Sequence, residues 1–575
     1  MQYQGNPVSP GLAIGAVYRF IPYTPLVEQR EIAHGEVRTE LDRYHRAQAA
    51  AREELETLCR RFSASDQEKT AIFAAHLDIL MDVAMEEDIC TAVEDELVCA
   101  EWAVQQVYGR YAEQIAGAAD PLMRERSSDL KDVSRRILRC LEGAEDHDLS
   151  SLEHAAIVVA HDLLPSQTAL LDRDRVLGIA AEIGGSTSHS AIIARSYGIP
   201  SVLGIEGILD AVQDGETVIL DALKGTLSTQ PTHDELATAE RRKSEYAVKA
   251  AELRRWRDVP CVMADGTQVG IHLNIGSATP DELSASMYTD GVGLFRSEFL
   301  YMSRPQLPGE EEQMEAYRRA LEAFAPRPVV LRTMDIGGDK KLECMDLPRE
   351  ENAFLGSRAL RLCFKRKDIF RTQLRAAYRA SVYGTLWIMF PMVSSVDDIR
   401  RAKQIAEEVW QELEREGIPF DREVKLGIMI ETPAMAVLAD RAAKEVDFAS
   451  IGTNDLCQYA LAVDRLNPEV AEYYQSYHPA LFRLIGIAGS AFREAGKPLG
   501  VCGELGGDPL AAPVLVGLGV TKLSMSASAV AGVKKMLCGL TMEEARHIAQ
   551  QAANRSTAKK VHRFLEQELG EVLNR

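Results

Sequence analysis

Lys425-Leu426-Gly427-Ile428-Met429-Ile430-Glu431-Thr432-Pro433 is a short apolar run that stops at a carboxylate. Such a run suits a strand buried on both faces. Further along, Phe448-Ala449-Ser450-Ile451-Gly452 repeats the pattern and leads into Thr453-Asn454-Asp455. Six more runs of this kind flank the two, at 269–274, 291–295, 329–333, 386–390, 499–502 and 523–526. Helical patterns follow most of them, as at 311–323, 396–416 and 479–495. Eight β-then-α units between residues 261 and 575 predict a (β/α)8, or TIM, barrel.

Active sites of such barrels gather at the C-terminal ends of the strands. Polar residues are dense there: Arg296, Arg332, Arg358, Glu431, Asn454, Asp455, Arg465 and Cys502. Each alone is weak evidence, because arginines and acids on surface loops are common. Eight at one mouth are hard to read as solvation. The planar fork of arginine pairs with phosphate and carboxylate alike. Glu431 and Asp455 are the best candidates for a Mg²⁺ site, since that ion takes few protein ligands. A small substrate carrying both phosphate and carboxylate fits the set. Cys502 has two readings, a small buried hydrophobe or a proton donor.

Ahead of the barrel the character changes twice. Residues 1–20 read as a short strand and turn, and strands recur at 155–160, 176–180, 201–203 and 217–220. Between them, residues 32–141 are rich in Ala, Glu, Leu, Arg and Gln at helical spacing, with breaks near 63–65 and 117–121. The chain is therefore predicted to be a multidomain α/β protein with a helical bundle inserted into an α/β domain. The expected boundaries are 1–30 and 146–230 for the α/β domain and 31–145 for the insert. A helical linker at 231–260 and the barrel at 261–575 follow.

Within the α/β domain, Gly184-Gly185-Ser186-Thr187-Ser188-His189 opens a predicted helix. The glycines permit a sharp turn, and the hydroxyl residues suit a helix cap. A helix N-terminus attracts anions, so a phosphoryl group on His189 would meet favourable charge. A capped helix with a surface histidine explains the same residues, and the stretch alone leaves both open.

The 575 residues carry a formal charge of −21, which disfavours nucleic acid and anionic membranes as main partners. The charge is uneven. From Thr70 to Gly109 there is no Lys or Arg but there are Asp78, Asp82, Glu86, Glu87, Asp88, Glu94, Asp95, Glu96 and Glu101. This is either a solvated helix face or a docking surface for a small basic protein. No apolar stretch is long enough to span a bilayer, and the N-terminus lacks a secretory pattern. Ten cysteines without C-x-x-C pairs point to a cytoplasmic protein with reduced thiols and no zinc site.

Gly-Gly-Ser-Thr-Ser-His189 is similar to the phosphohistidine motif of the phosphoenolpyruvate-utilising enzymes. Gly293-Leu294-Phe295-Arg296-Ser297-Glu298-Phe299-Leu300, Ile451-Gly452-Thr453-Asn454-Asp455-Leu456 and Val501-Cys502-Gly503-Glu504 resemble that family's barrel signatures. Motif order and chain length resemble its enzyme I branch, from the bacterial sugar phosphotransferase system, over essentially the whole sequence. The resemblance implies that phosphoenolpyruvate and Mg²⁺ bind in the barrel, His189 accepts the phosphoryl group and pyruvate leaves. The group then passes to a histidine of the carrier protein HPr, docked on the helical insert, in a protein that is a homodimer through its barrel. Carried over by position, Arg296, Arg332 and Arg358 clamp the phosphoryl oxygens, while Arg465 and Asn454 take the carboxylate. Glu431 and Asp455 hold Mg²⁺, and Cys502 protonates the enolate. Thr168 holds the imidazole, and Lys340 reaches in from the loop after the third run. Ser186 departs from the pattern, which usually has a basic residue there. That puts a local charge contact in doubt, not the nucleophile.

Two alternatives are a dikinase of the same superfamily and an inactive regulatory paralogue. The first needs a glycine-rich nucleotide domain ahead of the histidine, and no such loop is found. The intact Arg, Glu, Asp and Cys set argues against the second. His189 and the barrel mouth are expected in different domains, which implies a swivelling motion during turnover.

Overall fold

The computed structural model describes the chain apart from residues 26, 63–66, 117–120, 145–148, 150, 151, 153, 164–166, 169, 173, 185–190, 192, 193, 195, 196, 277, 303–305, 338–343, 346, 348, 349 and 575. The chain divides into two compact units, Met1–Lys249 and Ala250–Arg575.

The first unit is built on an eight-stranded sheet. Its strands are β1 (Gln2–Gln4), β2 (Asn6–Ser9), β3 (Leu12–Phe20), β4 (Ala156–Ala160), β5 (Val176–Ala181), β6 (Ser201–Leu203), β7 (Thr217–Asp221) and β8 (Thr226–Thr229). They lie in the order β1-β8-β7-β3-β4-β5-β6-β2. Strands β3 and β4 pair in parallel, Ala16 opposite Ala156, with a long stretch of chain between them. Helices Val37–Phe62, Gln67–Leu80, Val83–Asp95, Ala100–Ala116 and Pro121–Glu142 occupy that stretch. They bury a core of their own, with Tyr44, Leu55, Phe73, Ile89, Val104 and Ile137 at its centre. Asp82 caps the third of them by accepting hydrogen bonds from the amides of Ala84 and Met85.

The sheet is covered on both sides. Ile157 and Val159 of β4 face one apolar cluster, and Val158 and Ala160 face the other, as the two-residue period of a strand requires. The first twenty residues form three strands rather than one strand and a turn. Strands β1 and β2 lie at opposite edges of the sheet although only Gly5 separates them. The edges approach closely there: a Cβ at Gly225, where φ is +71°, would lie 2.6 Å from the Gly5 carbonyl. Glycine alone fits that combination of crowding and positive φ.

A helix at His233–Arg255 follows the sheet, with Arg242 paired to Asp221 at 2.7 Å. The second unit contains a closed parallel barrel. Its strands are β9 (Gly270–Ile275), β10 (Val292–Arg296), β11 (Val329–Arg332), β12 (Leu386–Phe390), β13 (Lys425–Ile430), β14 (Phe448–Ile451), β15 (Leu499–Val501) and β16 (Lys522–Met525). Each apolar run recognised in the sequence supplies one strand, and β16 closes on β9 with Ser524 opposite His272. Within β13, Ile428 and Ile430 pack outward under the helices, while Met429 points into the interior with Leu294, Val330, Trp387, Met389, Phe448 and Cys502. The surrounding helices follow their sequence signals. Val396–Glu416 begins at a Ser395–Asp398 capping box and ends at Gly417, whose φ is +70°. No helix among the described residues is long and apolar enough to cross a membrane.

Candidate active site

A cavity of about 540 Å³ opens at the C-terminal ends of the barrel strands. Arg296, Arg332, Arg358, Glu431, Asn454, Asp455, Arg465 and Cys502 all line it, so the barrel residues singled out in the sequence converge on one space. The strand ends put them there. Arg296 and Arg332 are the last residues of β10 and β11, while Glu431 and Cys502 directly follow β13 and β15. Asn454 and Asp455 begin the helix Thr453–Leu461 after β14.

The cationic wall is braced from behind. Arg332 is buried and forms an ion pair with Glu298 through one guanidinium nitrogen and with Asp335 at 3.0 Å through the other. Asp335 also accepts from Arg358 at 2.9 Å, so one carboxylate holds two arginines. The Arg358 guanidinium lies 5.4 Å from the Phe354 ring centroid, and a second nitrogen donates to the Tyr459 hydroxyl at 3.5 Å. Burial works against both charged guanidiniums. The surrounding carboxylates outweigh it: Glu298, Asp335 and Glu431 hold Arg332 above its ordinary pKa, and Asp335 and Asp455 do the same for Arg358. Arg296 lines the same cavity and has no ion-pair partner among the described residues.

The opposite wall is carboxylate. Glu431 is fully buried, and one of its oxygens accepts from the Met392 amide. Burial and the neighbouring Asp335 and Asp455 charges push its carboxyl up to about 8. Among the described residues, its Oε2 and the Oδ1 of Asp455 are buried without a hydrogen-bond partner. Arg465 lies 3.7 Å from that Asp455 oxygen. Unmatched carboxylate oxygens on two buried acids are a donor set for a hard divalent cation. Glu431 and Asp455 therefore fit the Mg²⁺ expected from the sequence. Packing is tight around them: a Cβ at Gly452 would come within 3.0 Å of Glu431 Oε2.

Cys502 sits on the cavity floor, only 3% exposed, with its thiol donating to the Ile451 carbonyl at 3.6 Å. Burial pushes the thiol up to about 11, although Ser450, Arg332 and Arg296 pull the other way. It is therefore protonated at neutral pH. Its carbonyl accepts from Asn274 at 3.1 Å. Asn454 Oδ1 accepts from the Glu504 amide at 3.3 Å, which orients its amide group.

His189, Ser186 and Lys340 lie outside the described residues. Thr168 is fully buried, and its carbonyl accepts from the Leu171 amide at 3.2 Å. Gly184 has φ +120°, a backbone conformation that favours glycine. Ala191 and Ala194 are fully buried in the cluster that covers one face of β4 and β5.

Sequence reasoning assigned no role to Asp335 or Glu298. A signal was present in both, since each is an acid just beyond a strand-ending arginine. The acidic stretch is also less free than its composition implies. Asp82 is a helix cap, Glu101 pairs with Arg43, Asp88 with Arg110, and Glu86 with His45 at 3.6 Å. Asp78, Glu87, Glu94, Asp95 and Glu96 remain exposed.

Comparison with known proteins places the chain in a family. Residues 250–542 match the PEP-utilising enzyme, PEP-binding domain. Residues 152–225 match the mobile domain of PEP-utilising enzymes, and residues 4–126 their N-terminal domain. The chain is 42% identical over 564 residues to the phosphoenolpyruvate-protein phosphotransferase of Bacillus sp. (strain S), covering 98% of this chain and 97% of that one. The Geobacillus stearothermophilus protein of that name gives the same identity and coverage. The one from Bacillus subtilis (strain 168) is 40% identical over 569 residues, 98% and 99% of the two chains. With its barrel, its mobile α/β domain and full-length likeness to these proteins, the chain belongs to the PEP-utilising enzymes, as a phosphoenolpyruvate-protein phosphotransferase of the enzyme I type.

Proposed function

We propose that phosphoenolpyruvate binds in the barrel cavity with its phosphoryl oxygens on Arg296, Arg332 and Arg358 and its carboxylate on Arg465 and Asn454. The observation that carries this reading is the convergence of those residues, with Glu431, Asp455 and Cys502, on one cavity. Asp335 and Glu298 hold Arg332 and Arg358 in place, so little side-chain freedom is lost on binding. Glu431 and Asp455 would hold Mg²⁺, which when bound neutralises phosphoryl charge.

Phosphoryl transfer needs an in-line nucleophile and stabilised charge more than covalent help from the protein. His189 supplies the nucleophile: a neutral ring nitrogen attacks phosphorus, and the enolate oxygen leaves. The enolate is quenched when the Cys502 thiol gives its proton to the terminal carbon, forming pyruvate. The thiolate left behind faces the Arg332 and Arg296 charges that stabilise it. The phosphohistidine then delivers the group to a histidine of HPr. Thr168 and Lys340 are supporting groups in this scheme, the first for the imidazole and the second at the barrel mouth.

The helical insert is the proposed HPr dock. Met81 and Val83 are exposed beside Asp78, Asp82 and Glu87, a mixed apolar and acidic face that suits a small basic protein. His189 and the cavity belong to different units, so loading requires the mobile domain to bring the imidazole to the barrel. The protein is a cytoplasmic homodimer through its barrel in this reading.

Calorimetric titration with phosphoenolpyruvate and Mg²⁺ tests the site. Arg296→Ala should weaken binding at least about tenfold, the lower end for losing a charge-assisted contact. Glu431→Gln should remove the dependence on Mg²⁺. Unchanged binding in both variants would overturn the assignment.

A further inference from the structure

Strand β9 puts one amide where the barrel is otherwise lined by apolar residues. Ile271, Leu273 and Ile275 pack outward under the helices, which turns His272 and Asn274 toward the interior. A half-buried amide there needs partners. Asn274 finds them past β16, at the end of β15. Its Nδ2 donates to the Cys502 carbonyl at 3.1 Å and lies 3.5 Å from the Ser524 carbonyl. Its Oδ1 accepts from the Ser524 hydroxyl at 2.7 Å. Carbonyls cannot donate, so the atom that faces two of them is the nitrogen, and the amide has one orientation. Ser524 is only 3% exposed, and Gly293 leaves it room: a Cβ there would lie 2.6 Å from the Ser524 hydroxyl oxygen.

The contact falls where the sheet stops holding the chain. The β15–β16 ladder pairs Gly500 with Lys522 and Val501 with Leu523, and Cys502 lies just past it. On one side the Cys502 amide donates to the Ile451 carbonyl at 3.1 Å, and the thiol reaches the same oxygen at 3.6 Å. On the other side Asn274 holds the Cys502 carbonyl. With both ends of the residue fixed, χ1 decides where the sulfur sits. Proton transfer is sensitive to that position, since a misplacement of about 1 Å can cost on the order of 10²-fold in rate.

We propose that Asn274, locked by Ser524, is a positioning residue that aims the Cys502 thiol at the terminal carbon of the enolate. It acts through Cys502, because it is not among the residues that line the substrate cavity. The inference rests on the reading of Cys502 as the proton donor. In that step the S–H bond breaks, an electron pair of the enolate takes the proton as a new C–H bond, the enolate oxygen becomes the ketone oxygen, and a thiolate is left.

A double-mutant cycle on the full-length protein tests the proposal. Pyruvate formation is followed in a single turnover with phosphoenolpyruvate and Mg²⁺, and substrate affinity by calorimetry. Asn274→Leu removes both bonds at nearly constant volume. It should slow pyruvate formation about tenfold, the loss of one hydrogen bond, with the Kd for phosphoenolpyruvate within about twofold of the parent. Asn274→Asp keeps the shape and the Ser524 bond but turns the donor into an acceptor, and should lose at least as much even if the leucine variant folds poorly. Cys502→Ala should lose more than either. Adding Asn274→Leu or Asn274→Asp to it should cost no further rate, because no thiol is left to aim. A merely structural residue would slow the Cys502→Ala protein as much as the parent. If Cys502→Ala keeps the parent rate, the proton-donor reading falls and the proposal with it. If Cys502→Ala is slow but both Asn274 variants stay within about twofold of the parent, or slow Cys502→Ala by the same factor as the parent, positioning by Asn274 is overturned and the proton donor stands.

Discussion

Asp335 is the residue on which the cationic wall of the cavity depends, because one carboxylate holds two buried arginines. Its two oxygens accept from Arg332 at 3.0 Å and from Arg358 at 2.9 Å, with all three side chains under 10% exposed. Asp335→Ala leaves Arg332 with Glu298 but leaves Arg358, among the described residues, with a hydroxyl contact at 3.5 Å, an aromatic face and the more distant Asp455 charge. Removing one partner of a buried ion pair costs about 3–5 kcal/mol, because the remaining charge is stranded. Part of that loss appears as stability and part as a looser substrate clamp. Misplacing a preorganised charge typically costs on the order of 10²–10³ in rate. Asp335→Ala should therefore lower kcat/KM for phosphoenolpyruvate about 10²-fold or more, with a lower denaturant midpoint. Asp335→Asn keeps one acceptor oxygen and should lose roughly tenfold, about one charge-assisted hydrogen bond. The assay is pyruvate release in the presence of Mg²⁺ and HPr. If kcat/KM for Asp335→Ala stays within about twofold of the parent, the reasoning that Asp335 preorganises the arginines fails.

Gly503→Ala would place a Cβ 1.9 Å from Thr453 Oγ1 and 2.7 Å from the Thr453 amide, so the turn into Asn454 and Asp455 must shift. Overpacking of this kind costs about 1–3 kcal/mol, and a thermal melt with phosphoenolpyruvate titration should show lower stability and weaker binding together. Cys502→Ala should slow pyruvate formation about 10²–10⁴-fold, the usual range for a general acid, while leaving substrate binding near the parent value. Because burial pushes that thiol up to about 11, the parent rate should show no loss from thiol ionisation below about pH 10 in a stopped-flow pH series. Lys522, over the Trp387 ring at 3.9 Å, is pushed down to about 8 by burial and by Lys425. The unfolded chain binds this proton more tightly, so the charge costs stability below about pH 8, and the cost fades as pH rises toward the free lysine value near 10.4. Lys522→Met should raise stability at pH 7 by on the order of 2 kcal/mol, read as a higher melting temperature, with the gain shrinking at pH 10. An engineered cross-link that fixes the mobile domain to the barrel should block turnover, read as loss of HPr phosphorylation that a reductant restores.

The barrel was legible because each strand is a short apolar run that ends at a polar residue. Its inside and outside were not. Met429 and Ile430 are both apolar, yet one fills the barrel and the other packs under helices, so two dry faces erase the alternation. Strands β1 and β8 escaped notice because Gln2-Tyr3-Gln4 and Thr226–Thr229 are polar edge segments, and their pairing joins residues 2 and 228. Residues lining the cavity were legible as charged groups at strand ends, supported by the family resemblance. Asp335 and Glu298 were not assigned, because an acid beside an arginine in sequence says nothing of which arginine it will hold. The partners of the acidic run are hidden for the same reason: Glu101 and Asp88 are matched by Arg43 and Arg110, distant in sequence and close in the bundle.

The central claim is that phosphate from phosphoenolpyruvate passes through His189. Incubation of the full-length protein with ³²P-labelled phosphoenolpyruvate and Mg²⁺, followed by acid and base lability tests on the isolated chain, measures it directly. The parent protein should carry acid-labile, base-stable label that HPr discharges, and His189→Ala, which should still bind the substrate, should carry none. Stable labelling of His189→Ala, or label on the parent that HPr cannot remove, would contradict it.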